Sequence, residues 1–363
     1  MCNRLDTLPV NDGFRMPSEN QPHDQIWMAW PERSDNWRLG GRPAQAAFVA
    51  VAKAIAKTTN VTMAVSRQQY KNARMLLPSH IRVVEMRTDD AWMRDIGPCY
   101  VVNDQGERRG IDWHFNAWGG LVDGLYSPWS NDDAVAYKIC EMAADKSYRA
   151  PIVLEGGAIH VDGEGTLYTT EECLLHPSRN PQLSREQIAQ VLADYLNIEK
   201  VIWLPHGLFN DETNGHIDNL VHVIKPGEIV LTWCDDKNDP QHEICSQALR
   251  YLASQVDAKG RQIIVHKLPM PGPLFITEAE ASTIDACDGM HRTAGERLAA
   301  SYTNYLVTNR QIVYPLLDDD LDAEIASLLG EFYPGYTITG VPGREILLGG
   351  GNIHCITQQV PSV

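Results

Sequence analysis

Basic residues are scarce in this 363-residue chain, in which 31 lysines and arginines face 47 aspartates and glutamates for a net charge of −16. Nucleic acids and anionic membrane surfaces are bound through basic patches. The composition therefore argues against both as partners. It is compatible with a cationic ligand.

The cysteines lack the C-x-x-C spacing that is typical of zinc and redox sites. Cysteines scattered through a long chain indicate free thiols in a reducing compartment. The polar N-terminus has no apolar core of a signal peptide, and no apolar run reaches membrane-spanning length. We therefore expect a cytoplasmic protein. The eight cysteines are Cys2, Cys99, Cys140, Cys173, Cys234, Cys245, Cys287 and Cys355.

One pattern recurs along the chain: a polar or glycine-rich lead-in, a strand, a tight turn, a second strand, a helix and a closing strand. Copies begin near residues 92, 156, 216 and 302, and a fifth is split between the strand near Cys355 and Trp27–Trp30 with a helix over 43–58. Repetition of this kind predicts a closed circular array whose lead-ins meet near a central axis.

We expect residues 1–363 to form a single catalytic domain. Its size and its 44% content of hydrophobic residues suit a globular protein with a substantial core. Residues 1–25 are polar and irregular, which predicts a wrapping N-terminal arm. The proline-rich segment 269–295 interrupts the repeat and is expected to be a lid or rim loop.

The C-terminal segment GGGNIHCITQQ, at 349–359, places a cysteine after three glycines. Consecutive glycines give the backbone unusual freedom and allow another molecule to approach closely. We expect a short strand that presents Cys355 as a nucleophile to a small, planar, cationic substrate. The alternative is a glycine turn before a cysteine that only packs, because free cysteine often behaves as a small core residue.

The segment ETNGHIDN, at 212–219, holds a histidine and an aspartate two positions apart. We predict a strand over 216–224, on which His216 and Asp218 point to one face roughly 7 Å apart. Such a pair suits general acid–base chemistry near neutral pH. Two alternatives stay open. The pair could be hydrogen-bonded polar residues at the start of a strand without a catalytic role, or part of a metal site that also uses His222.

Two more carboxylates and two tryptophans lie near glycines: Asp95, Glu155, Trp92 and Trp118. Asp95 could instead pair with Arg94, Glu155 could simply end a turn, and the tryptophans could be core residues. Tryptophan rings beside a glycine loop also suit a flat cation, which stacks on the ring face.

As one unit, these groups suit chemistry on a guanidinium. Two aspartates can bind its planar fork of donors and align its central carbon for attack by a thiolate. Because a free cysteine has a pKa of about 8.5, the bound cation or a protonated histidine must favour the thiolate. The histidine then protonates the departing nitrogen and later activates water against the covalent intermediate. This scheme needs no metal and no cofactor.

The motifs together resemble those of the agmatine deiminases, in the bacterial-type peptidylarginine deiminase family of the guanidine-modifying pentein superfamily. The resemblance implies a pentein-type fold, which is a five-bladed α/β propeller with pseudo-fivefold symmetry. It also implies hydrolysis of agmatine to N-carbamoylputrescine and ammonia, a route towards putrescine in polyamine metabolism. The matching segments are WMAWP at 27–31, WMRDIGP at 92–98, LEGG at 154–157, ETNGHIDN at 212–219 and GGGNIHCITQQ at 349–359.

The resemblance assigns roles to the matched residues. Cys355 would be the nucleophile, His216 the general acid and base, and Glu155 the residue that orients His216. Asp95 and Asp218 would act on the guanidinium as part of the catalytic set. The residues expected to bind substrate are Asp95, Asp218, Trp92, Glu212, Trp118 and Gly350.

Four alternatives remain at this point. The substrate could be arginine or peptidyl-arginine, although Glu212, acidic and next to the His216 motif, better suits the far amine of agmatine than an α-carboxylate. The intermediate could pass to an amine, as in an amidinotransferase. The chain could be a metal-dependent hydrolase built on His216, Asp218 and His222, or a catalytically silent polyamine-binding protein. The expected partner is a small cationic guanidine, with no nucleic acid and no membrane, and homo-oligomer formation is left open.

Overall fold

A computed structural model describes residues 4–287 and 289–363. Cys2, the first residues of the predicted arm and Asp288 in the predicted lid lie outside the described residues. The strands of the described residues are β1 (Arg4–Leu5), β2 (His23–Ala29), β3 (Asn60–Val65), β4 (Arg82–Glu85), β5 (Cys99–Val102), β6 (Arg108–His114), β7 (Lys146–Val153), β8 (His160–Val161), β9 (Thr166–Thr170), β10 (Lys200–Leu204), β11 (Val221–Lys225), β12 (Glu228–Trp233), β13 (Ile264–Pro269), β14 (Leu306–Thr308), β15 (Gln311–Leu316), β16 (Thr337–Pro342) and β17 (Gln358–Pro361).

The helices are mostly short, and three further stretches are single turns of 3-10 helix, at Arg38–Gly41, Gly156–Ala158 and Ile217–Asn219. The α-helices are α1 (Arg42–Ile55), α2 (Tyr70–Leu76), α3 (Met93–Ile96), α4 (Gly120–Asp123), α5 (Val135–Ala143), α6 (Glu171–Leu174), α7 (Arg185–Leu196), α8 (Pro240–Ala253), α9 (Glu278–Ala281), α10 (Asp322–Phe332) and α11 (Arg344–Leu347). No helix among the described residues is long and apolar enough to cross a membrane.

The described strands form five separate sheets of three or four strands. In four of them an antiparallel pair is followed by a crossover through helix to a parallel partner, as in β11–β12–β13 with α8 between the last two. Parallel neighbours need such a crossover, whereas antiparallel neighbours need only a turn. The repeating unit predicted from the sequence is therefore confirmed.

The fifth sheet joins the two ends of the chain. Strand β17 pairs antiparallel with β2, so that Gln358 lies opposite Trp27, and β2 continues in parallel to β3 and β4. Helix α1 connects β2 to β3 and buries Phe48, Val51 and Ile55. The split fifth copy is thus also confirmed.

Local sequence explains two of the helix starts. Pro43 lies in the first turn of α1, where its missing N–H costs no hydrogen bond. Ser184 and Gln187 form the expected capping box of α7, in which each side chain binds the other residue's backbone N–H.

Two predicted strands near the site are wrong. His216 precedes a turn of 3-10 helix that contains Asp218, and β11 begins only at Val221. Gly215, at φ +78°, turns the chain immediately before His216, so the extended path needed for a strand is interrupted.

Cys355 likewise lies in a turn rather than in a strand. The hydroxyl of Thr357 donates to the carbonyls of Ile353, at 2.9 Å, and His354, at 3.1 Å. These local bonds compete with the pairing of a sheet. Strand β17 therefore starts only at Gln358.

Candidate active site

A cavity with an empty volume of about 350 Å³, open mouth included, lies among the lead-ins that precede the strands. It brings together most of the residues predicted for the site. Glu155 and Asp218 are absent from its lining and are fully buried. The predicted residues that line the cavity are Trp92, Asp95, Trp118, Glu212, His216, Gly350 and Cys355.

The thiol of Cys355 has two polar neighbours. It lies 3.6 Å from the Oδ2 of Asp218, and the Nδ2 of Asn304 donates to its Sγ at 3.0 Å. A Cβ added to Gly351 would lie 3.0 Å from the Sγ and 2.7 Å from the ring of Trp92. Glycine at position 351 therefore keeps this side of the Cys355 thiol open.

Burial raises the pKa of Cys355 well above the ordinary range of a thiol, and the negative charges of Asp218 and Asp95 raise it further. The backbone of Asn352 and the side chain of Asn304 lower the pKa but do not outweigh these effects. The thiol is therefore protonated at neutral pH, and a cation close to it would favour ionisation.

His216 lies between two carboxylates. Its Nδ1 is 3.9 Å from the Oδ2 of Asp95, and its Nε2 is 3.7 Å from the Oε2 of Glu155. Burial lowers the pKa of His216, but the charge of Asp95 and the proximity of Cys173 and Glu155 raise it, and the net result lies well above the ordinary value. The imidazole is therefore protonated at neutral pH and can act as an acid.

Glu155 itself is paired on its far side. The Nε of Arg179 lies 2.7 Å from its Oε1, and both side chains are fully buried. Burial raises the pKa of Glu155, but the charges of Arg179 and His216 lower it below its ordinary value. The carboxylate is therefore ionised where it meets His216.

Asp95 is held by two donors, the Nε1 of Trp118 and the backbone N–H of Gly157, each at 2.9 Å. Burial and the nearby charges of Asp218 and Glu155 raise its pKa to about 6, although His216 opposes them. The alternative pairing of Asp95 with Arg94 is wrong, because Arg94 binds the Oε1 of Glu19 at 3.2 Å.

Gly157 marks the point where three predicted residues converge. A Cβ at this position would lie 2.6 Å from the Nδ1 of His216, 2.9 Å from the Oδ1 of Asp95 and 3.0 Å from the Oδ2 of Asp218. Distances below 3.0 Å do not occur for real Cβ atoms without movement of the neighbour. His216, Asp95 and Asp218 therefore face the same small space.

The two tryptophans belong both to the core and to the cavity wall. Trp92 packs against Trp37 with ring centroids 5.1 Å apart, and Trp118 packs edge-on against Phe115 and Tyr126. Both are buried and both line the cavity. The fixed rings therefore provide apolar walls on which a planar cation can stack.

Glu212 already has a cationic partner. Two nitrogens of Arg292 donate to its two carboxylate oxygens at 2.6 and 2.7 Å. Arg292 also donates to the carbonyl of Gly349 at 2.8 Å. This part of the predicted lid segment is thereby attached to the rim of the cavity, where Met290 contributes to the lining.

Comparison with known proteins places this geometry in a family. The family model of Porphyromonas-type peptidyl-arginine deiminases matches residues 15–361. The chain belongs to that family. A protein of Photobacterium profundum, provisionally named an agmatine deiminase, is 68% identical over the whole of both chains. The agmatine deiminase of Ectopseudomonas mendocina is 58% identical over 99% of this chain and 98% of its own.

The solved structures agree with the sequence relatives. A structure of the agmatine deiminase of Enterococcus faecalis, described as catalysing its reaction, superposes with a TM-score of 0.97 at 50% identity and covers 99% of both chains. The predicted family and fold class of this peptidyl-arginine deiminase family member are therefore confirmed.

Within the described residues, two groups of side chains have the composition of a metal site. In each, the three potential ligand atoms lie within 4.8 Å of one another. Each group shares its carboxylate with a buried arginine, since Glu19 binds Arg94 and Glu155 binds Arg179. A guanidinium beside the carboxylate repels a divalent cation, so these groups suit a metal poorly. The groups are Glu19 with His160 and His222, and Glu155 with Cys173 and His216.

The metal site considered in the sequence is not assembled. His222 lies with Glu19 and His160 and stacks on Tyr305 at 4.0 Å, whereas His216 lies with Glu155. The prediction failed because it placed all three ligands on one strand, and the turn at 217–219 separates them.

Several residues around the site were not predicted. Asn304 occupies the lead-in of the fourth repeat, so the repeat itself could have drawn attention to it. His354 lies next to Cys355 in the motif and could have been considered on that ground. Nothing in the local sequence of Arg179 or Arg292 indicates that they pair with Glu155 and Glu212.

Proposed function

We propose that this protein hydrolyses agmatine to N-carbamoylputrescine and ammonia through a covalent amidino intermediate on Cys355. The observation that carries the proposal is the meeting of a thiol, a histidine and a carboxylate in one cavity between two tryptophans. The agmatine deiminases of Ectopseudomonas mendocina and Enterococcus faecalis, which match over nearly the whole chain, support the choice of substrate.

The guanidinium binds between Asp95 and Asp218. The Oδ1 of Asp218 has no hydrogen-bond partner among the described residues and is therefore free to accept from the substrate. Asp95, held by Trp118 and Gly157, binds the other edge. Carboxylates on both sides align the planar cation and place its central carbon beside the Sγ of Cys355.

Binding of the cation activates the nucleophile. The charges of Asp218 and Asp95, which raise the pKa of the thiol, are balanced once the guanidinium lies between them. The thiol loses its proton to solvent, and the thiolate attacks the guanidinium carbon, forming the C–S bond. His216, already protonated, gives its proton to the departing nitrogen, and the C–N bond breaks with release of ammonia.

Hydrolysis of the intermediate uses His216 in the opposite direction. The neutral imidazole takes a proton from water, which attacks the same carbon. The C–S bond then breaks as the second proton of the water passes to the departing sulfur, so the product carries the new carbonyl oxygen and the thiol of Cys355 is regenerated. Glu155, held by Arg179, keeps the ring of His216 in position through both halves of the reaction.

Selectivity for agmatine is assigned to the rim of the cavity. Glu212 lies there with a carboxylate that can attract the far ammonium of agmatine, and Arg292 balances its charge until substrate binds. Because Arg292 belongs to the segment 269–295, we assign this segment the role of a lid.

The remaining expectations follow from composition. The acidic chain with scattered free thiols suits the cytoplasm and a small cationic substrate rather than nucleic acid or a membrane surface. Within the cell the reaction would supply N-carbamoylputrescine on the route to putrescine. We treat residues 1–363 as a single catalytic domain, and homo-oligomer formation stays open.

Mass spectrometry of the intact protein, acid-quenched during turnover of agmatine, tests the proposal. We expect a covalent adduct that maps to Cys355 and that is absent from the Cys355→Ala variant. Release of ammonia and N-carbamoylputrescine without any added amine should accompany it, and a requirement for an amine acceptor would instead indicate an amidinotransferase. Agmatine binding without any product would point to a silent binding protein.

Two comparisons separate the remaining alternatives. Agmatine and arginine are offered at equal concentration, and a preference for arginine would overturn the substrate assignment while leaving the chemistry in place. In parallel, iodoacetamide should abolish turnover and a chelator should leave it unchanged. Loss of activity with the chelator alone would favour a metal-dependent hydrolase.

A further inference from the structure

His354, the chain neighbour of the nucleophile, lies between two carboxylates. Its Nδ1 is 2.8 Å from the Oδ2 of Asp218, and its Nε2 is 2.9 Å from the Oε1 of Glu19. All three side chains are buried. Glu19 comes from the predicted N-terminal arm, 335 residues away from His354 in the chain.

The number of protons required by this geometry defines the charge of His354. An ionised carboxylate can only accept hydrogen bonds, and a neutral imidazole can donate from only one nitrogen. Contacts at both ends of the ring therefore require a proton on each nitrogen. His354 is an imidazolium that neutralises part of the charge of Asp218 and Glu19.

We propose that His354 is a positioning residue, which ties Asp218 to Glu19 and keeps the Asp218 carboxylate ionised and oriented beside Cys355. The predicted effect on turnover rests on the proposed function. The arm thereby takes part in the site through Glu19, although Glu19 is absent from the lining of the cavity.

Asp218 needs a cationic partner to stay ionised. It is fully buried, and it lies close enough to Asp95 for its charge to raise the pKa of that second carboxyl group. Like charges in a buried site favour uptake of a proton by one of them. Burial raises the pKa of Asp218, but the hydrogen bond and charge of His354, together with the smaller effects of His216 and Arg94, lower it below its ordinary value.

Other charged groups surround this unit. Asp218 faces the thiol of Cys355, His216, Asp95 and Arg94 in addition to His354. His354 faces Arg94 and Glu19, and the rings of His160 and His222 lie 5.8 Å away. The charge of Arg94 and burial both lower the pKa of His354, and the two carboxylates raise it above its ordinary value in spite of them.

A test that needs no substrate is nitrogen NMR of the protein labelled with ¹⁵N in its histidines. His354→Gln identifies the resonances of His354 by their disappearance. We expect both ring nitrogens of His354 to be protonated at about pH 7.5, above the ordinary histidine pKa. A signal of one protonated and one bare nitrogen at this pH would overturn the proposal.

Kinetics of agmatine turnover tests the effect on the site. His354→Gln should lower kcat/KM at pH 7 by about 30-fold or more. It should also make the acid limb of the pH profile, which Asp95 sets near pH 6 in the parent, steeper and higher by about one unit, because Asp218 then takes up a proton as well. Glu19→Gln should change both quantities in the same direction by a smaller amount.

The double variant and a matched control separate positioning from packing. His354→Gln with Glu19→Gln should be no worse than His354→Gln alone, because residues that act as one unit are not additive. His222→Gln is the same substitution in the same buried cluster, without a bond to Asp218, and should keep kcat/KM within about threefold. Additive losses with an unshifted pH profile would overturn the proposal and leave His354 a packing residue.

Failure of the proposed function would look different. The unmodified protein would then give no product from agmatine, whereas the NMR measurement would still report whether His354 carries both protons. A turning-over parent with a neutral His354 would overturn the inference alone.

Discussion

The Sγ of Cys355 lies 3.6 Å from the Oδ2 of Asp218, so this thiol faces an anion in the free protein. A carboxylate at this distance opposes ionisation of a thiol. In the proposed mechanism the same carboxylate binds the guanidinium. Substrate binding and activation of the thiol would then be coupled through a single side chain.

The first prediction concerns the free thiol. Burial and the two aspartates raise the pKa of Cys355. The rate of its alkylation by iodoacetamide should therefore still be rising with pH at about pH 9, whereas an ordinary thiol is already half ionised at about 8.5. Peptide mass spectrometry gives the rate at this one position, and a Cys287→Ser background removes the partly exposed thiol. Asp218→Asn should move the profile to lower pH. A plateau near pH 7 in the parent would contradict the raised pKa.

The second prediction is loss of turnover in Cys355→Ser. Serine has no accessible anion in this site, and removal of a nucleophile typically costs kcat a factor of about 10³ or more. Agmatine binding, measured by calorimetry, should persist. Cys234→Ser is the control, since Cys234 lies at the end of β12 and is absent from the cavity lining. Turnover of Cys355→Ser near the parent rate would remove the nucleophile assignment.

The third prediction is an acid limb in kcat/KM near pH 6. The pKa of Asp95 is raised to about 6, so the carboxyl group is protonated below this pH and ionised above it. Only the ionised form attracts a guanidinium, and kcat/KM should therefore fall as the pH falls through about 6. Asp95→Asn should lose about 100-fold or more at pH 8, because a charge-assisted bidentate contact is removed. A flat profile between pH 5 and 8 in the parent would count against this role of Asp95.

The fourth prediction uses the space around Gly157. A methyl group there would lie too close to His216, Asp95 and Asp218, so Gly157→Ala should displace the three groups. Misplacement by about 1 Å can lower the rate 10²-fold. Gly330→Ala is the matched control, because the nearest atom to its added Cβ is 3.9 Å away. Equal kcat in the two variants would show that the convergence at Gly157 is unimportant for catalysis.

The fifth prediction separates the two ends of the substrate. Glu212→Gln should raise the KM for agmatine by about 10- to 100-fold, the range expected for loss of a hydrogen bond to a charged group. Butylguanidine, which lacks the far amine, should be turned over equally by both proteins. If both substrates are affected to the same extent, Glu212 acts through the attachment of Arg292 rather than by contact with the amine.

The repeat could be predicted from sequence because its strands, tight turns and helices leave local patterns of polar and apolar residues. The fifth sheet is the best example, since the split copy predicted that the segment near Cys355 and Trp27–Trp30 belong together, and β17 pairs with β2 just after Cys355. The conformation of the lead-ins was harder to predict. The spacing of His216 and Asp218 is typical of a strand, and only the left-handed backbone at Gly215 explains why the chain forms a turn there.

The members of the site that bear chemistry could be predicted, whereas their supporting charges could not. Cys355 and Asp95 lie in distinctive glycine-rich contexts. Arg179 and Arg292 are surrounded by ordinary loop residues, and their partners are fixed only when distant lead-ins meet. Long-range ion pairs of this kind leave no periodic signal in a single sequence.

The pairing of β17 with β2 has a consequence for biosynthesis. Cys355 directly precedes β17, so the chain must be synthesised through β17 before this thiol is surrounded by the carboxylates of the cavity. In the proposed mechanism, shorter chains would be inert toward guanidines, and closure of this sheet would be a late event that joins strands far apart in the sequence.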